Sequence, residues 1–268
     1  MAKLEGQKEL IRYYWNNRPC GTKTSDSPIG SKQFFEEVEK QRYEIEYYLP
    51  QAVDFTKYKG KNLLEIGCGL GTDSLRFARN GSNVTAVDLT FNGVSLAKKR
   101  FGLYQQAGRF SEMDMQKLAF KDNTFDVVYS CGVIHHTPNI GKTIDEIYRV
   151  LKPGGEIVIM IYHKNSYYYY GSIMFFKKIG FRLLGWDIDV TPEEWLAFGT
   201  DGFGTPYSEV FTRDQAKALF KKFKTIKTKT FGLSSKDIPL INRFFPQWLD
   251  YQLAKLWGFC LFVYAVKE

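Results

Sequence analysis

From Lys61 onward the chain alternates compact apolar runs with longer amphipathic stretches. Asn62–Ile66, Asn83–Asp88, Phe125–Ser130 and Glu156–Tyr162 are rich in Leu, Ile and Val, and Phe110–Met113 is a shorter stretch with apolar ends. Such runs predict strands buried on both faces. Between them, Gly71–Asn80, Asn92–Gln106 and Ile140–Leu151 carry helical spacing, the first closed by Gly81. Strands alternating with helices predict right-handed βαβ units and a mostly parallel sheet with helices on both faces.

The flanks have a different rhythm. Glu5–Trp15 predicts a helix, broken at Asn16–Gly21 and followed by a polar loop to Gly30. Ser31 then caps a second helix through Phe34, Phe35, Val38 and Tyr43 to Tyr48, which Pro50 ends. After Tyr162, Ser166–Gly185 predicts an aromatic-rich helix, Thr191-Pro192-Glu193-Glu194 starts another, and Asp201–Pro206 is a Gly-rich loop. Thr212 caps a helix over Asp214–Lys222; Lys224–Phe231 and Cys260–Val266 then read as closing strands around an aromatic helical insert, Phe244–Trp257. Three parts follow: a helical cap or lid (1–60), an α/β core (61–162), and a helical insert with closing strands of the same domain (163–268).

Composition narrows the class. With 44% hydrophobic and 25% charged residues the chain is ordinarily globular. No apolar stretch reaches the roughly 18 residues of a membrane span. Charges in Met1–Leu10 rule out a secretory leader there. The 4 cysteines are scattered, which points to a reducing, cytoplasmic setting. The net charge of +8 is spread along the chain rather than gathered in a stripe. That argues against nucleic acid and leaves attraction to an anionic substrate or a peripheral membrane contact open.

The segment Leu63-Leu64-Glu65-Ile66-Gly67-Cys68-Gly69-Leu70-Gly71-Thr72-Asp73 runs from a strand through three alternate glycines into a helix. Glycines there keep Cβ atoms away from a bound ligand and permit positive φ. A dinucleotide loop reads G-x-G-x-x-G and sets a pyrophosphate on the helix N-terminus. Here the third glycine comes one residue early, and Glu65 and Asp73 flank the loop. Two carboxylates repel a pyrophosphate but suit a cation bearing an ammonium and a sulfonium. Asp88, at the tip of the next strand, is placed to accept from ribose hydroxyls. Asp114, past the third strand, could accept from an adenine amino group or simply form a turn.

Residues 61–162 resemble the Rossmann-like core of class I S-adenosylmethionine methyltransferases. The resemblance rests on the glycine loop with Glu65, on Asp88, and on the block from Asp114 through Leu118-Ala119-Phe120 to Asn123-Thr124-Phe125-Asp126. It extends through Cys131-Gly132-Val133-Ile134-His135-His136-Thr137-Pro138 and Arg149-Val150-Leu151-Lys152-Pro153-Gly154-Gly155. Ala119 stands where the family usually has proline. The resemblance implies a seven-stranded sheet with the last strand antiparallel, and S-adenosyl-L-methionine facing Glu65, Gly67, Gly69, Asp88, Leu89, Asp114, Met115 and Cys131. The loop residues Cys68, Gly71 and Asp73 complete the expected cofactor site.

Ligands of such sheets lie beyond the strands' C-terminal ends. All 3 histidines, His135, His136 and His163, fall just past predicted strands there. They are candidate bases for a hydroxyl or ammonium nucleophile; alternatively the His135–His136 pair orders its loop. Their spacing does not suggest a metal site. Tyr14, Trp15, Tyr43, Tyr162 and Tyr167 are candidates to line the pocket of a small or lipid-like methyl acceptor, although aromatics on helices also serve as core.

Overall fold

A computed structural model describes residues 2–171, 205–233 and 247–268. Among these, the helices are α1 (Ala2–Asn17), α2 (Lys32–Ile45), α3 (Leu49–Ala52), α4 (Thr72–Arg79), α5 (Phe91–Leu103), α6 (Ile140–Val150), α7 (Arg213–Leu219) and α8 (Gln247–Trp257). The strands are β1 (Asn62–Ile66), β2 (Asn83–Asp88), β3 (Arg109–Glu112), β4 (Phe125–Cys131), β5 (Leu151–His163), β6 (Val210–Phe211), β7 (Lys224–Phe231) and β8 (Cys260–Val266).

The main sheet runs β3-β2-β1-β4-β5-β8-β7. Its first five strands are parallel, with Leu63 opposite both Val84 and Val127. β8 is antiparallel to both neighbours, so Val263 faces Ile159 on one side and Thr228 on the other. The seven-stranded, mostly parallel α/β architecture is therefore present. A two-residue strand that the pattern did not announce, β6, pairs with Tyr162–His163 at the end of β5.

Strand residues alternate between the two faces. Leu64, Ile66, Val128, Ile157 and Ile159 pack with Ile144 and Ile147 of α6. Leu63, Val127, Tyr129 and Val158 pack on the opposite face with Leu75 and Phe77 of α4 and with Tyr48 and Leu49 of the cap. Phe34, Phe35 and Val38 of α2 are buried against Leu70 of the glycine loop. At roughly 1.5–3 kcal/mol per fully buried large side chain, this contact ties the cap firmly to the core.

Several boundaries differ from the sequence pattern. Pro50 does not end a helix; it occupies the first turn of α3, where its missing N–H is not needed. β5 begins directly after α6, at Leu151. Of the helix predicted over Ser166–Gly185, only 166–171 fall among the described residues, with a single helical turn at 167–171. The predicted helix start at Thr191, most of the Gly-rich loop at 201–206 and the first residues of the Phe244–Trp257 insert lie outside them. Among the described residues, no helix is long and apolar enough to cross a membrane.

Candidate functional site

A cavity of about 310 Å³ opens beyond the C-terminal ends of β1, β2 and β4, roofed by α1, α2 and the loop at Pro19–Gly21. Its floor is the glycine loop, in which Gly67, Gly69 and Gly71 have φ of +76°, +48° and +69°. The three differ in purpose. A Cβ on Gly67 would stand 2.4 Å from the Val133 methyls, and one on Gly71 would stand 3.0 Å from Ala97 Cβ, so both glycines serve close packing. Only at Gly69 would a Cβ meet nothing within 4 Å. That open space is what a ligand against the backbone requires.

Of the residues expected at a cofactor, Glu65, Gly67, Cys68, Gly69, Asp73, Asp88, Leu89, Asp114, Met115 and Cys131 all line this cavity; Gly71 does not. The acids behave differently. Glu65 is 4% exposed and accepts from the Ser74 hydroxyl. Burial, then the neighbouring Asp73, pushes its carboxyl well above the ordinary range. Asp88 accepts from Gly69 N at 2.9 Å and from Thr90 N and Oγ1 at 2.9 and 2.7 Å. Burial outweighs these bonds and raises its carboxyl.

Asp73 corrects the sequence argument. Burial would raise its carboxyl, but Arg42 and the Tyr129 and Tyr43 hydroxyls together bring it below the ordinary range. Arg42 Nε and Nη2 reach Oδ1 and Oδ2 at 3.0 and 2.6 Å, while the Tyr43 and Tyr129 hydroxyls donate at 3.0 and 2.8 Å. Its charge is thus answered inside the protein, and Glu65 is the acid left to face a cation. Asp114 is also engaged, accepting from Lys8 Nζ and Gln116 N, each at 2.8 Å.

The histidines separate. His136 lines the cavity beside Trp15, ring centroids 5.6 Å apart. Its Nδ1 contacts the Tyr207 carbonyl at 2.8 Å. A carbonyl only accepts, so Nδ1 carries the proton and Nε2 is the acceptor. His135 lies behind, fully buried between His136 and Tyr162, and neither ring nitrogen has a hydrogen-bond partner among the described residues. Burial holds it neutral. His163 is not at this cavity: it contacts the Gly258 carbonyl at 3.0 Å and lines a separate depression with Thr212 and Arg213. No group of three or more His, Cys, Asp or Glu among the described residues could hold a metal.

Of the five candidate acceptor aromatics, only Trp15 lines the cavity. Tyr14 packs edge-on behind Trp15, Tyr43 is committed to Asp73, and Tyr162 stacks on Phe259. Tyr167 packs over Gly171. Sequence reasoning missed the cap's polar wall, formed by Lys8, Gln41, Arg42 and Glu46. One signal was available: Lys8, Arg12 and Asn16 form an i, i+4, i+8 stripe. In the fold that stripe meets Asp114, Glu112 and Asn92.

A largely apolar cavity whose floor pairs Glu65 and Asp88 with an open glycine backbone, and whose two cations are already matched to Asp114 and Asp73, fits a cationic nucleoside better than a diphosphate. Comparisons with known proteins agree. Residues 64–159 match the family described as methyltransferase domain. The chain is 37% identical over 98 residues to sterol 4-C-methyltransferase strm-1 of Caenorhabditis elegans, covering 36% of this chain and 29% of that protein. It is 34% identical over 133 residues to a fatty-acid O-methyltransferase of Mycolicibacterium smegmatis, covering 48% of this chain and 47% of that protein. The match thus spans less than half the length of either relative. In fold, the chain is similar to Haemonchus contortus phosphoethanolamine N-methyltransferase 2 in complex with S-adenosyl-L-methionine. That likeness has a TM-score of 0.60 at 19% identity and covers 96% of this chain and 60% of that one. Residues 64–159 therefore form a methyltransferase domain, set in a fold like that of S-adenosylmethionine-dependent methyltransferases.

Proposed function

We propose that this protein transfers the methyl group of S-adenosyl-L-methionine to an O or N atom of a small or lipid-like metabolite. The observation that carries the reading is the pairing of Gly69, whose backbone borders open space, with the buried Glu65 and the half-buried Asp88 on the same cavity wall. When bound, the cofactor supplies an electrophilic methyl on a sulfonium, transferred by in-line displacement. The chain's task is then to bind, align and exclude water.

In this reading Glu65 answers the cationic amino-acid end of the cofactor. Asp88 accepts from the ribose, and Asp114 faces the adenine, its bond to Lys8 loosening or rearranging as the ring enters. Ile11 and Trp15 of α1 close the cavity above. An acceptor hydroxyl or ammonium that must lose a proton gives it to His136 Nε2, because Nδ1 is already protonated against the Tyr207 carbonyl. His135 and the Tyr162 ring hold His136 in place rather than touching the acceptor. The relatives' names, a sterol and a fatty-acid methyltransferase among them, support an apolar acceptor. The segments 1–60 and 163–268 would then serve as lid and acceptor side. The four cysteines, which form no disulfide, support a reducing cytoplasmic setting.

Calorimetric titration with S-adenosylhomocysteine, followed by methyl-label transfer into fractionated cell extract, tests this. Saturable binding and label in the small-molecule or lipid fraction are expected. Binding of NAD without S-adenosylhomocysteine, or label confined to RNA or protein, would overturn it.

A further inference from the structure

The two acids flanking the glycine loop sit side by side, 4% and 3% exposed, without being equivalent. Two buried carboxylates cannot both ionise cheaply; one takes up a proton unless a cation intervenes. Here the cation is Arg42, on α2 of the cap and outside the segment shared with the methyltransferase-domain family. Its guanidinium meets both oxygens of Asp73, a fork that a lysine cannot reproduce.

We propose that Arg42 is a positioning residue of the methyl-donor site: by closing an ion pair with Asp73 it reserves Glu65 for the ligand's cation, so that docking of the cap and completion of the site are one event. This rests on the methyl-donor reading above. The charged and titratable groups around the pair are few. Arg42, Asp73 and Asp88 act on Glu65, which also accepts from Ser74. Asp73 is faced by Arg42, Tyr43 and Tyr129. Arg42 in turn is faced by Asp73, by Glu46 at 3.2 Å and by Cys131. Arg42 favours the ionised form of Glu65 and Asp73 opposes it. Removing Arg42 alone therefore makes Glu65 harder to ionise, whereas removing Asp73 as well withdraws the larger, opposing influence.

The test is S-adenosylhomocysteine binding by calorimetry across roughly pH 5 to 9, since a linked ionisation shows as pH-dependent affinity. Affinity in the wild type should fall as Glu65 takes up its proton. In Arg42→Met that fall should move to higher pH, with neutral-pH affinity down roughly ten- to hundredfold because a buried carboxylate is stranded. Arg42→Lys should recover only part of it. Arg42→Met/Asp73→Asn, which strands no charge, should bring the fall back to the wild-type pH or below it and carries the test if the single variant does not fold. Arg79→Gln removes a different cap-to-core bridge, 3.0 Å to Glu39, and should leave the profile unchanged.

An unshifted profile in Arg42→Met would overturn the proposal. So would a double variant whose fall stays at the higher pH of Arg42→Met, or an Arg79→Gln protein that behaves like Arg42→Met. Wild-type protein that ignores S-adenosylhomocysteine at every pH would instead remove the methyl-donor reading, and this inference with it.

Discussion

Gly67 and Gly69 are two residues apart in one loop, yet alanine at each should fail in a different way. At Gly67 the new methyl would lie 2.4 Å from both Val133 γ-carbons, with the backbone at φ +76°. Val133 cannot swing clear without moving the turn into the short helix Ile134–His136. The left-handed backbone costs about 1–2 kcal/mol and the overpacking about 1–3, so Gly67→Ala should lose roughly 2–5 kcal/mol of stability. At Gly69 the added methyl meets nothing within 4 Å. Only the backbone cost of about 1–2 kcal/mol remains. That methyl stands where the ligand would approach, however, so the loss should appear in binding. Urea denaturation with and without S-adenosylhomocysteine separates the two. A ligand at a hundred times its Kd stabilises by about 2.7 kcal/mol. Gly69→Ala should be only mildly destabilised and lose most of that increment. Gly67→Ala should be severely destabilised, with part of the loss recovered by Val133→Ala. A Gly69→Ala protein that binds as wild type would refute the cradle. A Gly67→Ala protein as stable as Gly69→Ala would refute the packing argument.

Other consequences can be checked separately. Asp88→Ala should weaken S-adenosylhomocysteine binding by about 1–3 kcal/mol in calorimetry, and unchanged affinity would end its ribose role. His135 is buried and held neutral, so the unfolded chain binds a proton below its ordinary pKa of about 6.5 that the folded chain refuses. Stability should be intact above that pH and fall below it by up to about 1.4 kcal/mol per unit, a slope that His135→Phe removes. Lys267, 8% exposed, donates to Asn123 Oδ1 and the Tyr148 and Leu151 carbonyls at 2.7–2.8 Å. Lys267→Met should cost roughly 2–4 kcal/mol by denaturant melt, since charge-assisted bonds are lost and carbonyls stranded. His163→Gln should leave methyl transfer unchanged while His136→Gln lowers it; equal losses would contradict the separation of the two sites.

The chain's own order of residues determined the sheet, because a strand covered on both faces must be apolar throughout and a crossover helix must show one apolar stripe. It also determined the glycine loop and the acids at the strand tips, which are set by residues close in sequence. What it could not disclose is how each acid is answered. Asp73 meets an arginine 31 positions upstream, and Asp114 meets a lysine 106 positions away. Charge matching over such separations exists only once the cap has folded over the core. Likewise, His135, His136 and His163 all follow strand ends in the sequence. Packing alone decided that His136 borders the cavity, His135 is entombed behind it and His163 faces Gly258. Tyr43, by sequence a candidate either for the acceptor pocket or for the core, is a hydrogen-bond donor to Asp73. Local sequence specifies elements and turns because their forces are short-ranged; which polar groups are paired, and which stay available for chemistry, is settled by contacts between distant segments.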